Sequence, residues 1–164
     1  MKIEMRPIGF VRSPFKEPEG VPIQTRAGND IEATVEIKEE FTEGLSDLEG
    51  FSHIILLTFL HRSSGYELKV FPFLDDVKRG VFSTRAPRRP NPIGLHLVRL
   101  VKVEKNILRI KDIDIIDGTP VLDIKPYIPQ GDERENCRLG WLTGKIEEFE
   151  SKIADGRFSR SSGR

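Results

Sequence analysis

Residues 31–38 read IEATVEIK, and apolar and polar side chains alternate along the whole stretch. A period of two is that of a β-strand with one buried and one solvated face. Residues 54–60 read IILLTFL, an apolar run that is too short for a typical helix, so it predicts a strand buried on both faces. The two stretches together predict a mainly β chain.

The rest of the chain repeats this pattern in short pieces. Residues 95–104 and 107–116 flank Lys105-Asn106, which predicts a tight hairpin. Asp-Gly-Thr-Pro at 117–120 predicts a turn, and further short strands are expected at 67–71, 80–84 and 121–125. Many short strands and 11 prolines predict a small closed or nearly closed antiparallel β-barrel, in which closure protects the strand edges.

Helix is scarce in this sequence. One helical turn is expected within residues 42–50, and the apolar spacing of 145–153 predicts a short amphipathic C-terminal helix. At 164 residues the chain fits one domain. We expect a β-barrel domain over 1–134, a helical segment packed on it over 135–154, and a loose basic tail over 155–164.

Several classes of protein are excluded by what the sequence lacks. The only cysteine is Cys137, so there is no intramolecular disulfide framework and no multi-cysteine zinc site. No GxGxxG pattern occurs, and the three histidines have no neighbours at zinc-ligand spacing, so no metal is expected. No apolar run approaches the length of a transmembrane helix, so we expect a cytoplasmic protein with no membrane partner.

The zero net charge hides an uneven distribution. Residues 30–50 hold eight acidic side chains against one lysine, whereas residues 78–109 hold nine basic side chains against one glutamate. The zero net charge therefore excludes a uniformly basic nucleic-acid-binding protein, but it is compatible with a basic band that contacts nucleic acid.

The segment 79–94 carries four arginines among three prolines and two glycines. Prolines stiffen a loop, and a stiff loop can hold guanidinium groups in register for a carboxylate or a phosphate. The alternative is a solvated loop with arginines at its rim.

Acidic side chains and one histidine form a second set of candidates. Asp112 and Asp114 are predicted to share one strand face, where they could bind ribose hydroxyls or a ligand amine, or simply be structural. For Asp117 a turn-forming role is favoured. His61 follows the buried strand, a place where histidines are more often structural than functional.

Four blocks of the chain carry a family resemblance: IGFVRSP at 8–14, LEGFSH at 48–53, GVFSTR at 80–85 followed by RPNPIG at 89–94, and DGTPVLDIKPY at 117–127. Over residues 8 to about 129 the chain resembles the TsaA/TrmO family. The resemblance implies a methyltransferase that uses S-adenosylmethionine to methylate N6 of threonylcarbamoyladenosine in the tRNA anticodon loop. It also implies a small non-Rossmann β-barrel and a homodimer with the site near the subunit interface.

The same resemblance implies cofactor contacts at Ile23, Gln24, Thr25, His61, Arg62, Arg85, Leu95, Lys111, Asp112, Ile113 and Asp114. Contacts with the substrate RNA are expected at Arg79, Arg88, Arg89 and Asn91, because guanidinium groups suit phosphates and the threonyl carboxylate.

The sulfonium methyl group is already activated, so positioning is the main task of such an enzyme. The acceptor nitrogen must lose a proton, and His61, Asp114 and Asp117 are the candidate acceptors, which sequence alone does not rank. Two alternatives remain open: a non-enzymatic RNA-binding β-barrel, and a methyltransferase of the same fold that acts on a small metabolite.

Overall fold

Antiparallel β-strands dominate the computed structural model, which describes residues 1–23, 30–145, 147, 152–155, 157 and 158. The strands of this part of the chain are β1 (Gly9–Arg12), β2 (Glu32–Ile37), β3 (His53–Phe59), β4 (Lys69–Val70), β5 (Arg79–Gly80), β6 (Ile93–Glu104), β7 (Ile107–Lys111) and β8 (Pro120–Pro126). Six of them close a barrel in the order β1-β2-β7-β6-β3-β8, and every pair is antiparallel. The predicted fold class is confirmed.

The core lies inside the barrel and is built from alternate residues of its strands. In β2 the inward residues are Ala33, Val35 and Ile37, as the alternation predicts. They pack against inward residues of the other strands, chiefly Val11, Ile54, Leu56, Val98, Leu108, Ile110 and Val121.

Strand β3 forms where the continuous apolar run predicts it, but only one of its faces is fully buried. Ile54, Leu56 and Thr58 point inward and are fully buried, whereas Phe59 on the other face is 42% exposed. The prediction of full burial on both faces is wrong, because the outer face of β3 is only partly covered and Phe59 reaches solvent.

Strands β6 and β7 form the predicted hairpin around Lys105-Asn106, and Lys105 adopts the left-handed conformation with a φ of 55°. Strand β7 ends at Lys111 and not at residue 116, because Asp112 has a φ of 63° that breaks the extended conformation. The turn at 117–120 precedes β8 as predicted, and β8 pairs with β1 to close the barrel.

The remaining elements are short. Strands β4 and β5 pair over two residues each, and Val81–Ser83 forms a 3-10 helix, so the strand predicted at 80–84 is wrong. The helical turn expected within 42–50 is found as the 3-10 helices Glu39–Leu45 and Leu48–Gly50. Helix α1 (Pro129–Asp132) and a 3-10 helix at Gly140–Leu142 follow β8.

The C-terminal residues pack on the loop that contains Pro22 and on the segment around β4 and β5. Most of the helix predicted at 145–153 lies outside the described residues, but Ile153 forms an antiparallel bridge with Pro22, so helix does not extend to that residue. Of the tail that the sequence predicts to be loose, Phe158 packs against a buried cluster of Val70, Val81 and Ala86.

Candidate functional site

A cleft opens at the end of the barrel where β3 ends and β6 begins. Its main cavity measures about 600 Å³, and its walls come from the loop at 18–23, the segment 82–96, residues 114–116 and the C-terminal residues Ala154 and Phe158. Two neighbouring cavities of about 320 Å³ and 100 Å³ share wall residues with it. Volumes of this order suit small-molecule ligands.

The segment 79–94, which we call the arginine loop, is held in place by hydrogen bonds and by a small apolar cluster. Thr84 donates its hydroxyl to the Val81 carbonyl at 2.9 Å, and Arg89 donates Nη1 to the carbonyls of Thr84 and Ala86 at 3.2 and 3.3 Å. Val81 and Ala86 are buried. Because these bonds fix the backbone, the loop can hold its remaining side chains in a defined position.

The four arginines of the loop differ in what they contact. Arg79 pairs with Asp75 at 2.7 Å, and Arg88, which is largely buried, pairs with Glu67 at 3.0 Å. Arg85 is exposed, makes no hydrogen bond or ion pair to any described residue, and lines both the 600 Å³ and the 320 Å³ cavities. It is the arginine best placed for an anionic ligand, whereas Arg79 and Arg88 already have structural partners.

His61 lines the 100 Å³ cavity together with Arg62 and Asp114. Burial, with a smaller contribution from the charge of Arg62, lowers the pKa of His61 below its usual 6.5. The imidazole is therefore neutral near pH 7. Its Nδ1 lies 3.4 Å from the Thr119 hydroxyl, at the outer limit of hydrogen bonding.

Asp114 lines both the 600 Å³ and the 100 Å³ cavities, and it contacts a residue that the sequence analysis does not select. His96 Nδ1 lies 2.6 Å from the Asp114 carboxylate, and His96 Nε2 lies 2.9 Å from the buried Thr58 hydroxyl. His96 also lines the main cavity. The alternation of β6 is the signal that could have found it, since it places a histidine on the inward face between Gly94 and Val98.

Asp112 lies apart from Asp114, so the prediction that the two share one strand face is wrong. Asp112 accepts a hydrogen bond from the Asp30 amide at 3.1 Å and lies 3.3 Å from Arg99. The left-handed backbone at Asp112 breaks the alternation on which the prediction rested. Lys111 pairs with Glu32 at 2.9 Å.

Ile113 is fully buried in the core, so its side chain has no access to a ligand. Neither Ile113 nor its neighbours Lys111 and Asp112 are among the residues that line the three cavities of the cleft.

Asp117 does not reach the cleft. It lines a separate groove of about 510 Å³ that also contains Arg12 and Lys16. A hydrogen bond from Lys16 at 2.9 Å and one from the Ser13 amide at 3.0 Å hold the pKa of Asp117 below its usual value. This position argues against Asp117 as the proton acceptor and supports its structural role.

Of the predicted site residues, the main cavity brings together Ile23, Arg85, Leu95, Asp114, Arg89 and Asn91. His61 and Arg62 line the adjoining 100 Å³ cavity. Gln24 and Thr25 lie outside the described residues.

The C-terminal segment forms the remaining wall of the cleft. Phe158 lines all three cavities and packs edge to face on Phe73, with 5.1 Å between ring centroids. Arg157 donates Nη1 to the Pro72 carbonyl at 2.8 Å. Sequence reasoning missed this wall because a sequence that ends in small and basic residues indicates a loose tail.

Two absences apply to the described part of the chain. Its residues contain no group of three or more His, Cys, Asp or Glu side chains that could hold a metal ion. None of its helices has the length and apolar character needed to cross a membrane.

Comparison with known proteins assigns the family. The family model described as "tRNA-methyltransferase O N-terminal domain" matches residues 10–133. A "Probable S-adenosyl-L-methionine-binding protein" of Pyrococcus abyssi is 58% identical over 93% of this chain and 83% of its own length. A mouse "tRNA (adenine(37)-N6)-methyltransferase" is 42% identical over 81% of this chain, which spans 32% of the mouse protein.

Solved structures agree with this assignment. The crystal structure of TrmO from Pseudomonas aeruginosa superposes with a TM-score of 0.73 at 39% identity, and the match covers 85% of this chain and 62% of the TrmO chain. The two chains therefore share both their sequence pattern and their fold over most of this chain. The chain therefore belongs to the family of the tRNA-methyltransferase O N-terminal domain.

Proposed function

We propose that this protein is a methyltransferase that uses S-adenosylmethionine to methylate the N6 nitrogen of an adenine beside the tRNA anticodon. The observation that carries the proposal is the cleft in which the Asp114–His96 pair and Arg85, which has no partner among the described residues, line one cavity of about 600 Å³. The names of the relatives, an S-adenosylmethionine-binding protein and a tRNA methyltransferase, support both halves of it.

The residues of the cleft fit the chemical groups of S-adenosylmethionine. Its carboxylate suits the guanidinium of Arg85, and its cationic groups suit the carboxylate of Asp114. Ile23 and Leu95 offer apolar wall. When bound, S-adenosylmethionine supplies a methyl group that its sulfonium has already activated. Lys111, Asp112 and Ile113 lie away from the cavity, so we assign them no side-chain contact with the cofactor.

The chain has to position the acceptor nitrogen and receive its proton. His61 suits the second task, because its lowered pKa keeps it neutral near pH 7 and it lies in the cavity beside the main one. Asp114 is held by the hydrogen bond with His96, which fixes the carboxylate at the wall shared by the two cavities. We assign His61 as the proton acceptor and Asp114 as the residue that orients bound groups.

We assign threonylcarbamoyladenosine as the acceptor base, with its threonyl group beside Arg89 and Asn91. Both residues line the main cavity, and the hydrogen bonds of Arg89 to described carbonyls all come from Nη1. Its other donors can then bind the threonyl carboxylate. We place the protein, together with its tRNA substrate, in the cytoplasm.

A homodimer is part of the same proposal. Phe59 is 42% exposed on the outer surface of β3, and Ile93 and Leu95 of β6, which also line the main cavity, are 38% and 55% exposed. An apolar surface in this place suits a second copy of the chain, which would then approach the cleft. Sedimentation of the wild type against a Phe59→Ser variant tests it: dimer for the first and monomer for the second is the expected result.

Binding and transfer assays separate this function from its alternatives. We expect calorimetry to show binding of S-adenosylmethionine, and radiolabelled methyl transfer to tRNA that carries the threonylcarbamoyl group but not to tRNA without it. Absence of cofactor binding would support an RNA-binding barrel, and transfer to metabolites but not to tRNA would support a small acceptor. Transfer to both tRNAs would refute only the assigned base.

Arg85→Ala tests the site itself. A hydrogen bond to a charged group contributes roughly 1.5–3 kcal/mol, so we expect cofactor affinity to fall at least tenfold. Arg109→Ala is the matched control, because Arg109 pairs with Glu104 on the outer face and does not line the cleft. Equal cofactor affinity in both variants would contradict the assignment of Arg85.

A further inference from the structure

The 320 Å³ cavity beside the main one has aromatic walls. Phe73, Phe82, Trp141 and Phe158 line it, together with Arg85. Phe73 and Phe82 lie within residues 10–133, which the family model matches, whereas Trp141 and Phe158 lie beyond them, so only half of the aromatic wall belongs to the shared domain. Phe82 is 75% exposed although it is a large apolar side chain, which leaves its ring available to a ligand.

The tryptophan wall is held by specific bonds. Trp141 Nε1 donates a hydrogen bond to the Ser83 carbonyl at 2.7 Å, which ties it to the arginine loop. Arg79 and Lys145 lie 5.8 and 5.9 Å from the centre of its ring. Both cations also pair with Asp75, at 2.7 and 3.1 Å, and the Asp75 side chain is only 8% exposed.

The cluster of Asp75, Arg79 and Lys145 also affects the charge at the cavity. Two cations against one carboxylate leave a net charge of about +1 beside the aromatic wall, which favours a polyanion at the mouth of the cavity. The cavity also shares Ile23, Phe82 and Arg85 with the main cavity. A planar ring stacked on Trp141 or Phe82 would therefore lie next to whatever occupies the main cavity.

We propose that the 320 Å³ cavity receives the acceptor adenine after the base has left the stack of a single-stranded RNA loop. The inference rests on the proposed function and adds the place of the base and the residues that hold it. Aromatic side chains are the usual partners of unstacked bases in single-stranded RNA. Trp141 and Phe82 stack on the base, and the Asp75–Arg79–Lys145 cluster holds Trp141 against the arginine loop.

Trp141 is the only tryptophan of the chain, so its fluorescence reports on this cavity alone. The probe is an RNA hairpin with the sequence of a tRNA anticodon arm, in one version with adenine and in the other with an abasic site at the acceptor position. We expect quenching by the adenine hairpin and little change with the abasic one. Equal quenching by both hairpins, or none by either, would overturn the proposal.

Affinities of variants give an independent measurement. Loss of one base–aromatic stack should weaken hairpin binding about 5- to 150-fold in Phe82→Ala and in Trp141→Ala. S-adenosylmethionine affinity should be unchanged in Trp141→Ala, because Trp141 does not line the main cavity. Trp141→Phe should retain most of the binding, because it keeps a ring for stacking. Phe71→Ala is the control, since Phe71 is 47% exposed and lines none of the cavities of the cleft.

Two results would overturn the proposal. One is a loss of cofactor affinity with unchanged hairpin affinity in Trp141→Ala, because the 320 Å³ cavity would then hold part of the cofactor. The other is hairpin affinity in Phe82→Ala and Trp141→Ala equal to that of Phe71→Ala. If adenine-dependent quenching occurs but the wild type transfers no methyl group to tRNA, the base pocket is supported and the proposed enzymatic function fails alone.

Discussion

Gly94→Ala places a methyl group in the most crowded position next to the cleft. A Cβ at residue 94 would lie 2.5 Å from the Thr58 hydroxyl, 2.6 Å from His96 Nε2 and 2.9 Å from Leu60 Cδ2. These distances are far below van der Waals contact, and the first two atoms are the partners of a buried hydrogen bond. The methyl group can be accommodated only if Thr58 and His96 separate.

The cost has two parts. Insertion of one methyl group into a packed site costs about 1–3 kcal/mol, and loss of the Thr58–His96 hydrogen bond costs about 0.5–1.5 kcal/mol. We therefore expect the free energy of unfolding to fall by about 1.5–4.5 kcal/mol. Because His96 also binds Asp114, its displacement should move the carboxylate that lines the main cavity. Cofactor affinity should fall together with stability.

Urea unfolding followed by far-UV circular dichroism measures the first effect, and calorimetry with S-adenosylmethionine under native conditions measures the second. Gly44→Ala is the matched control, because a Cβ there meets no atom within 4 Å and its φ is not in the left-handed region. The control should be unchanged or stabilised by up to about 1 kcal/mol. Gly94→Ala with the stability and cofactor affinity of Gly44→Ala would refute the reasoning.

Two further predictions concern titrating groups. Hydrogen bonds from Arg79 and Lys145 lower the pKa of Asp75 to about 2 from 3.8, so they stabilise the fold above about pH 4 and this stabilisation is lost as the pH falls towards 2. The difference in unfolding free energy between wild type and Asp75→Asn should shrink over that range, and a constant difference would contradict the ion pairs. The lowered pKa of His61 favours the neutral form in the fold, so its contribution is present above pH 6.5 and lost as the pH falls below that value. An NMR titration assigned with His61→Gln should give a midpoint below 6.5, and a midpoint at or above 6.5 would argue against the proposed proton acceptor.

The barrel could be predicted from sequence because local pattern and global fold agree there. The alternation in 31–38 and the Lys105-Asn106 turn both act within a few residues, and the structure has β2 and the β6–β7 hairpin where they predict them. The prediction that strand extends through 107–116 is wrong because the positive φ of Asp112 depends on contacts with Asp30 and Arg99, which are remote in sequence. Periodicity carries no information about such contacts.

In the candidate site too, features set by local sequence could be predicted and features set by remote contacts could not. The stiff arginine loop follows from prolines and glycines that are local, whereas the partners of its arginines are not: Glu67 and Asp75 are ordinary acidic residues until the fold brings them to Arg88 and Arg79. His96 escaped notice because a lone histidine in an apolar strand looks structural. Its functional position is evident only from the structure, in which its partner Asp114 lines a cavity at the end of the barrel.

The charge distribution illustrates why contacts matter more than segment totals. The basic excess of residues 78–109 suggests a broad positive field, but in the fold Arg79, Arg88, Arg99 and Arg109 each pair with a carboxylate. Those ion pairs neutralise charge that a polyanion would otherwise attract, so the field is weaker than the sequence suggests. Because Arg85 is assigned to the cofactor, recognition of RNA must then depend on other cations with donors to spare, such as Arg89, at the cleft. The aromatic cavity beside it supplies the affinity that the net charge does not.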